Sequence, residues 1–246
     1  MNIEPQVIIT FDLDWSPDWM IEDVCRILDE YNASSTWFVT HDSEAVRLLR
    51  LRSDKVELGI HPNCLPGSSH GQTEREALTH IRQIVPEAVS MRTHGLYQST
   101  AFLLLAAAEF GIKLDSSIFL PSIVEPFDLA VDTMCIRRVP FVWADDLTMR
   151  SPAVSWEVPD NLRGPGPRVF AFHPFHIALN TVDYSLYEKM KAECPLPRWT
   201  KSFVAEHRNG AEGPSEFLQA LVRSSARNTR RIKDLLEQRV GARSSS

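Results

Sequence analysis

The sequence predicts an α/β protein built on a parallel sheet, and three observations support this prediction. Predicted strands and amphipathic helices alternate over the first 61 residues. Polar residues directly follow several of these strands, as in parallel sheets, where functional groups collect at the carboxyl ends. The chain has 246 residues, of which 43% are hydrophobic, enough to bury one large core. We expect a single catalytic domain over residues 1–240 and a disordered tail over residues 241–246.

The elements of the first half follow one another regularly. QVIITF is a β-branched run after Pro5 and predicts the first strand. Ser16 is the predicted N-cap of a helix that has Pro17 at its first position. STWFVT and KVELGIH predict the second and third strands, with an amphipathic segment between them. TEREALTHIRQIV predicts a helix with a capping box of Thr73 and Glu76, and VSMRTHG predicts a fourth strand.

The second half is less regular. STAFLLLAAAEFG predicts a helix that ends at Gly111, and LDSSIFL and IRRVPFVWAD predict short strands. VFAFHP predicts a further buried strand. Residues 181–212 show poor periodicity, and WTKSFVAEHR within them is either a substrate lid or surface packing. A long helix is predicted from Ser215 to about Val240.

The composition excludes several classes of function. The net charge of −6 argues against general nucleic-acid binding and against adhesion to anionic membranes. No apolar segment is long enough to cross a bilayer, and the amino terminus lacks the pattern of a secretory signal, so we expect a cytoplasmic protein. The four cysteines form no CxxC pair, which favours reduced thiols and excludes the usual cysteine zinc sites. Nothing in the sequence indicates the oligomeric state.

Acids and histidines follow the predicted strands. In chain order the strand-end residues are Asp12, Asp14, His61, Arg92, His94, Trp143, Asp145 and His173. One or two carboxylates with two imidazoles form a common ligand set for a divalent ion such as zinc, which keeps an open position for water or substrate. A neighbouring carboxylate outside the ligand set can take a proton from that water. The residues therefore predict a metal-dependent hydrolytic site.

The motifs TFDLD, STWFVT, ELGIHPN, MRTHG and VFAFHP, in this order, resemble the polysaccharide deacetylase superfamily with NodB homology, which is like carbohydrate esterase family 4. More narrowly, the sequence is similar to the WbmS-like subgroup of surface-polysaccharide gene clusters. The resemblance covers residues 6–176. It implies a distorted (β/α) barrel with fewer than eight units, here followed by a C-terminal helix. It also implies a divalent metal ion, with zinc as first choice and cobalt, manganese or nickel as alternatives.

The resemblance also implies a role for individual residues. Asp12 is the implied catalytic base, and Asp14 and His61 are implied metal ligands. Leu65 stands where the family has its second histidine ligand, so His70 is the predicted replacement. Arg92 would orient the base, Asp145 would be the partner of the catalytic histidine, and His173 would be the general acid with His176 in reserve. The implied substrate contacts are Trp15, Asn63, His94, Trp143 and His176.

Each of these residues has a structural alternative. The two acids of TFDLD could cap the following helix, the arginine could form a surface ion pair, and Trp143 could belong to the core. We interpret His41, His80 and His207 as structural residues.

The predicted function is metal-dependent removal of an N-acyl group, first of all acetyl, from a carbohydrate or sugar-nucleotide substrate. One alternative is an amidohydrolase that acts on a non-sugar C–N bond. The other is a catalytically inactive sugar-binding domain of the same fold, which the absence of a histidine at position 65 favours.

Overall fold

The computed structural model describes residues 5–151, 154–158, 166–225 and 228–237. Within these ranges the strands are β1 (Pro5–Asp12), β2 (Ser35–Val39), β3 (Val56–Ile60), β4 (Ser90–Met91), β5 (Leu114–Asp115), β6 (Phe127–Val131), β7 (Met134–Arg138), β8 (Trp143–Ala144), β9 (Gly166–Phe172) and β10 (Thr229–Arg230). The α-helices are α1 (Asp18–Glu30), α2 (Glu44–Arg50), α3 (Glu74–Ile84), α4 (Thr100–Phe110), α5 (Asp145–Met149), α6 (Pro174–Leu179), α7 (Tyr184–Glu193), α8 (Lys201–Ala205) and α9 (Pro214–Ser225). Short 3₁₀ helices lie at His94–Leu96, Leu196–Arg198 and Ile232–Leu236.

The strands form one curled sheet in the order β6-β7-β5-β4-β3-β2-β1-β9-β8, and all neighbours are parallel except the hairpin of β6 and β7. β10 pairs with the first half of β1, whose second half pairs with β2. The chain between Met134 and Ala144 pairs with β5 at its start and with β9 at its end, and Phe119 and Phe141 form a parallel bridge between these pairings. The sheet therefore curls back on itself, and the predicted α/β class and distorted barrel are confirmed.

Alternate side chains of β1 pack into two different layers of the core. Ile9, Phe11 and Leu13 belong to the larger hydrophobic cluster, which includes buried residues of the surrounding helices. Ile8 belongs to the cluster of the sheet interior, with residues of β2, β5 and β9. Because successive side chains of a strand point to opposite faces, Asp12 shares the interior face of Ile8. The strand that supplies the core thus also delivers a carboxylate to the inside of the barrel.

Several predicted helix signals are present in the structure. Thr73 and Glu76 form the capping box of α3, and α4 ends at Gly111, which adopts the left-handed conformation with a φ of 67°. The start of α1 differs by one residue from the prediction. Pro17 rather than Ser16 is the N-cap, and the hydroxyl of Ser16 is buried without a hydrogen-bond partner among the described residues.

The long C-terminal helix predicted from Ser215 is wrong. α9 ends at Ser225, β10 then pairs with β1, and a 3₁₀ helix follows at Ile232–Leu236. The predicted helix end at Val240 and the predicted tail at 241–246 lie outside the described residues. The segment with poor periodicity, 181–212, contains α7 and α8.

The segment WTKSFVAEHR packs on the protein and does not form a lid. Trp199 is 2% exposed and lies in a small hydrophobic cluster with Met20 and Phe175. The indole nitrogen of Trp19 donates to the carbonyl oxygen of Trp199 at 2.9 Å. No described helix is both long enough and apolar enough to cross a membrane.

Candidate active site

The carboxyl ends of neighbouring strands meet at one rim of the barrel. The backbone N–H of Leu13 donates to the carbonyl of Phe38 at 3.1 Å, that of His61 to Val39 at 2.8 Å, and that of Arg92 to Ile60 at 3.1 Å. These bonds continue the parallel ladder past the last residue of each strand. They hold the loops that follow β1, β3 and β4 side by side, which is why residues far apart in sequence become neighbours.

Asp12 is held by a buried arginine. Nη1 of Arg92 donates to Oδ1 of Asp12 at 3.0 Å and to the hydroxyl of Thr10 at 2.8 Å. Nε and Nη2 donate to the carbonyl and hydroxyl oxygens of Ser116, each at 3.0 Å. The side chain of Arg92 is fully buried, so a surface ion pair is excluded. The buried guanidinium therefore holds Oδ1 of the Asp12 carboxylate.

The carboxylate of Asp14 contacts two imidazole rings. Its Oδ1 lies 3.1 Å from Nε2 of His61 and 2.9 Å from Nδ1 of His94. Burial is the largest influence on the pKa of Asp14 and raises it, but the hydrogen bonds and charges of the two histidines outweigh burial and hold the pKa well below its ordinary value. Leu13 packs in the outer core between the two acids, so both carboxylates reach the rim.

His173 and Asp145 form a second carboxylate–imidazole pair. Oδ1 of Asp145 lies 2.7 Å from Nδ1 of His173, and Oδ2 accepts from the His173 backbone N–H at 2.7 Å. Burial is again the largest influence and lowers the pKa of His173, but the charge and hydrogen bond of Asp145 and the charge of Asp14 offset it and raise the pKa well above its ordinary value. Nε2 of His173 faces Asp14 Oδ2 at 3.7 Å. The pair therefore points a protonated imidazole toward the first group.

His176 lies beside His173 but has a different environment. Its ring centroid is 5.4 Å from that of His173, and its Nδ1 lies 3.1 Å from the hydroxyl of Thr181. Burial, followed by the charge of His173, lowers the pKa of His176 well below its ordinary value. Within the described chain no carboxylate pairs with it, so His173 is the better placed of the two for proton donation.

His70, the predicted third ligand, lies outside the group of Asp14, His61 and His94, whose ligand atoms approach one another. Nδ1 of His70 accepts from the Asn63 backbone N–H at 3.1 Å, and Nε2 therefore carries the proton and donates to the Thr40 carbonyl at 2.8 Å. Burial lowers the pKa of His70 to about 4, which keeps it in this neutral form. Both nitrogens are thus used to hold the loop after β3. His94, predicted as a substrate contact, lies where the third ligand was expected.

Three predicted substrate contacts also lie outside the cavity wall. Trp143 is 9% exposed and stacks on Phe217 at 4.2 Å between ring centroids, so it joins α9 to the barrel core. Trp15 packs against the rings of His70 and His94. The side-chain oxygen of Asn63 accepts from the Leu65 backbone at 3.0 Å. Of the predicted contacts, His94 and His176 line the cavity.

The rim surrounds a cavity of about 250 Å³. Asp12, Asp14, His61, His94, His173 and His176 line it together. Other side chains that the sequence did not indicate also line the cavity, among them Asp146, Arg150, Tyr184, Tyr187 and Lys191. The only available signal was the spacing of the two tyrosines and the lysine, which places them on one face of α7.

Asp14, His61 and His94 fit a divalent cation by their donor chemistry. One atom of each lies within 4.8 Å of the others, and one carboxylate with two imidazoles suits zinc. The buried Nδ1 of His61 has no hydrogen-bond partner among the described residues, whereas its Nε2 faces Oδ1 of Asp14 at 3.1 Å, so Nε2 is the atom that a cation would bind. Asp145, His173 and His176 also approach one another within 4.8 Å. That second group fits less well, because both oxygens of Asp145 already accept hydrogen bonds from His173.

The barrel and its rim of acids and histidines belong to a polysaccharide deacetylase-like protein. The family model of WbmS-like polysaccharide deacetylases matches residues 9–191, and the chain belongs to this family. No curated protein matches the sequence significantly.

The chain is also similar to several solved structures. One from Bordetella bronchiseptica, described as a polysaccharide deacetylase involved in O-antigen biosynthesis, is 28% identical over 90% of this chain and 91% of that chain, with a TM-score of 0.79. A 4-alpha-glucanotransferase from Thermococcus litoralis shares the fold, with a TM-score of 0.54 and 12% identity over 95% of this chain and 38% of that chain. The peptidoglycan deacetylase PdaC from Bacillus subtilis is 14% identical over 99% of this chain and 98% of that chain, with a TM-score of 0.48.

Proposed function

We propose that this protein is a metal-dependent hydrolase that removes an N-acyl group, first of all acetyl, from a sugar. The observation that supports this function best is that Asp12, Asp14 and His173 line one cavity. Asp14 contacts two imidazoles, Asp12 is paired with Arg92, and His173 is paired with Asp145. Amide hydrolysis needs an activated water, a proton acceptor and a proton donor, and the three groups offer one of each.

Asp14, His61 and His94 would hold the cation, with zinc first and cobalt, manganese or nickel as alternatives. A bound divalent cation there supplies Lewis acidity toward the acyl carbonyl and lowers the pKa of a water. His94 replaces His70 in this set because its Nδ1 faces Asp14, whereas both nitrogens of His70 bind backbone groups.

The remaining residues would move the protons. Asp12 accepts a proton from the attacking water, and Arg92 keeps its carboxylate aligned. The water oxygen bonds to the acyl carbon, the C–N bond breaks, and His173 gives its proton to the departing nitrogen. Asp145 stabilises the charged imidazole before that transfer. The products are a free amine on the sugar and a carboxylic acid.

The substrate we propose is a sugar or sugar-containing precursor of surface polysaccharide metabolism. The description of the Bordetella structure supports this substrate, as does the family of the chain. If the protein lies in the cytoplasm, as we predict, a nucleotide- or lipid-linked sugar is more accessible to it than a finished polymer.

Metal content tests the proposed site. Protein purified without chelator should hold near-stoichiometric metal, and this metal should be lost in Asp14→Asn and in His94→Gln. His70→Gln should keep the metal, and His207→Gln, at a histidine outside the cavity, is the matched control. Release of acetate from N-acetylated sugars, with the appearance of an amine, is then the activity readout, and non-sugar amides tested beside them examine the amidohydrolase alternative.

Two outcomes would contradict the proposal. Equal loss of metal in His70→Gln and His94→Gln would show that the ligand set is wrong. A wild-type protein that takes up no zinc, cobalt, manganese or nickel would rule out the hydrolytic mechanism and favour the inactive sugar-binding domain.

A further inference from the structure

One wall of the cavity comes from α7, which belongs to none of the motifs discussed above. Tyr184, Tyr187 and Lys191 lie on the same face of this helix, and all three line the cavity. The guanidinium of Arg150 lies 3.7 Å from the ring centroid of Tyr184, and the ammonium of Lys191 lies 5.5 Å from that of Tyr187. Two cations are therefore placed on two neighbouring aromatic rings, whose centroids are 5.5 Å apart.

Neither cation has an acidic partner in the described part of the chain. Other cationic side chains do form ion pairs there, among them Arg26, Arg47, Arg50, Arg52, Arg75, Arg137 and Arg231. In a chain with a net charge of −6, acidic partners are abundant. Arg150 and Lys191 are exposed, have no ion pair with a described residue, and line the cavity, so a ligand in the cavity can reach both.

This wall is continuous with the proposed reactive groups. The ring centroid of Tyr187 is 4.9 Å from that of His176, and His176 is 5.4 Å from His173. A cavity of about 250 Å³ is small for a ligand site. It suits a single sugar unit, and a substituent of that sugar would extend past the tyrosines to the exposed cations.

Two acids oppose the cations. Asp146 lines the same cavity, and Glu188 lies on α7 close enough to affect both tyrosines electrostatically. They lower the local positive potential, so the attraction for an anion depends on both cations together. Removing the charge of Asp146 should therefore strengthen the attraction for an anion.

We infer that Arg150 and Lys191, with Tyr184 and Tyr187 beneath them, form a subsite for an oxyanion substituent of the sugar. The oxyanion is either a phosphoryl group, as in a nucleotide- or lipid-linked sugar, or the carboxylate of a uronic sugar. Arginine forms paired hydrogen bonds to either group, and lysine adds a point charge. The sugar part of this inference rests on the proposed function, whereas binding of the oxyanion does not.

Calorimetric titration of the metal-loaded protein tests the subsite without turnover. The probes are glucose, glucose 1-phosphate and glucuronic acid, which carry no N-acyl group to hydrolyse, at fixed ionic strength. The 1-phosphate, the uronic acid or both should bind more tightly than the neutral sugar, and the tighter ligand identifies the source of the oxyanion. Arg150→Ala and Lys191→Ala should each weaken binding of that ligand about tenfold and leave the neutral sugar unchanged.

Two further variants sharpen the test. Lys189→Ala removes an exposed lysine of α7 that does not line the cavity, and it should bind like wild type. Asp146→Asn removes an opposing charge and should tighten oxyanion binding. Equal affinity for charged and neutral sugars, or the same effect for Lys191→Ala and Lys189→Ala, would overturn the inference.

The result also separates this inference from the proposed function. Acetate release from a neutral sugar as fast as from a charged one, with no effect of Arg150→Ala on KM, would reject the subsite and keep the deacetylase. Binding of the charged sugar that depends on Arg150 and Lys191, without any acetate release, would keep the subsite and reject the deacetylase.

Discussion

Arg92 shows how much can depend on one residue of this fold. Its guanidinium lies between the rings of Phe38 and Phe141, at 4.7 and 4.8 Å from their centroids, and forms a buried ion pair with Asp12. Removing one partner of such a pair leaves the other charge buried and unpaired, which costs about 3–5 kcal/mol. Arg92→Leu should therefore lower the free energy of unfolding by that amount. Arg92→Lys should lower the free energy of unfolding by less, because it keeps the positive charge. It should still destabilise the protein, because lysine cannot form the two bonds to Ser116.

A double-mutant cycle with urea denaturation measures this coupling. Asp12→Asn removes the charge that Arg92 neutralises, so the double variant Asp12→Asn with Arg92→Leu should be more stable than the sum of the two single changes predicts. Additive losses would mean that the ion pair does not stabilise the fold.

For individual site residues, the sequence allowed some predictions and not others. Asp12, Asp14, His61, Arg92 and His173 were identifiable because each directly follows a strand, and the carboxyl ends of parallel strands share one rim. His70 and His94 could not be ranked in this way. His94 is also a strand-end residue, but the family resemblance pointed to the loop of His70, and only the hydrogen bonds of each ring distinguish the two.

At the scale of elements, the segment after α9 is the largest difference between prediction and structure. The apolar positions of Ile232, Leu235 and Leu236 fit a helical period, so the pattern indicated one continuous helix. In the structure this segment instead pairs with β1 and inserts two of these side chains into the core. Its backbone is held by side chains of the barrel, a tertiary interaction that periodicity does not reveal. The Ile232 N–H donates to the hydroxyl of Thr36 at 2.9 Å.

Docking of this segment should contribute strongly to stability. Ile232 is fully buried and belongs to the interior cluster of the barrel. Ile232→Ala should lower the free energy of unfolding by about 2–5 kcal/mol, as for other large-to-small changes in a core. Leu51→Ala is the control, since Leu51 is 80% exposed and its loss should change stability by less than about 0.5 kcal/mol. An equally small effect at Ile232 would show that the segment is not docked in solution.

At the scale of the whole molecule, the sheet order could be predicted better than the cavity. Alternating strands and helices indicate a parallel sheet, and the rim then follows from topology. The wall formed by α7 depends on how the helices after β9 pack, and the hydrophobic cluster of Met20, Phe175, Tyr187 and Trp199 determines that packing. These residues are distant in sequence and show no common period, so their contact was not predictable.

One buried carboxyl away from the rim should make the stability of the whole molecule depend on pH. Glu57 is 3% exposed and accepts hydrogen bonds from Thr36 at 2.9 Å, Ser90 at 2.6 Å and the Lys233 backbone at 2.8 Å. Burial is the largest influence and raises the pKa of Glu57, and these hydrogen bonds offset only part of it. The folded protein therefore binds this proton more tightly than the unfolded chain does.

The sign of the pH effect follows from that difference. The contribution of Glu57 to stability is fully present below its unfolded pKa of about 4.3 and is lost as the pH rises through the higher folded value. Urea denaturation across this range should show that the stability of wild type minus that of Glu57→Gln falls as the pH rises and then becomes constant. Glu30→Gln, at an exposed carboxyl, is the control. A difference that rises with pH would mean that the three hydrogen bonds outweigh burial and that Glu57 anchors the C-terminal segment as a carboxylate.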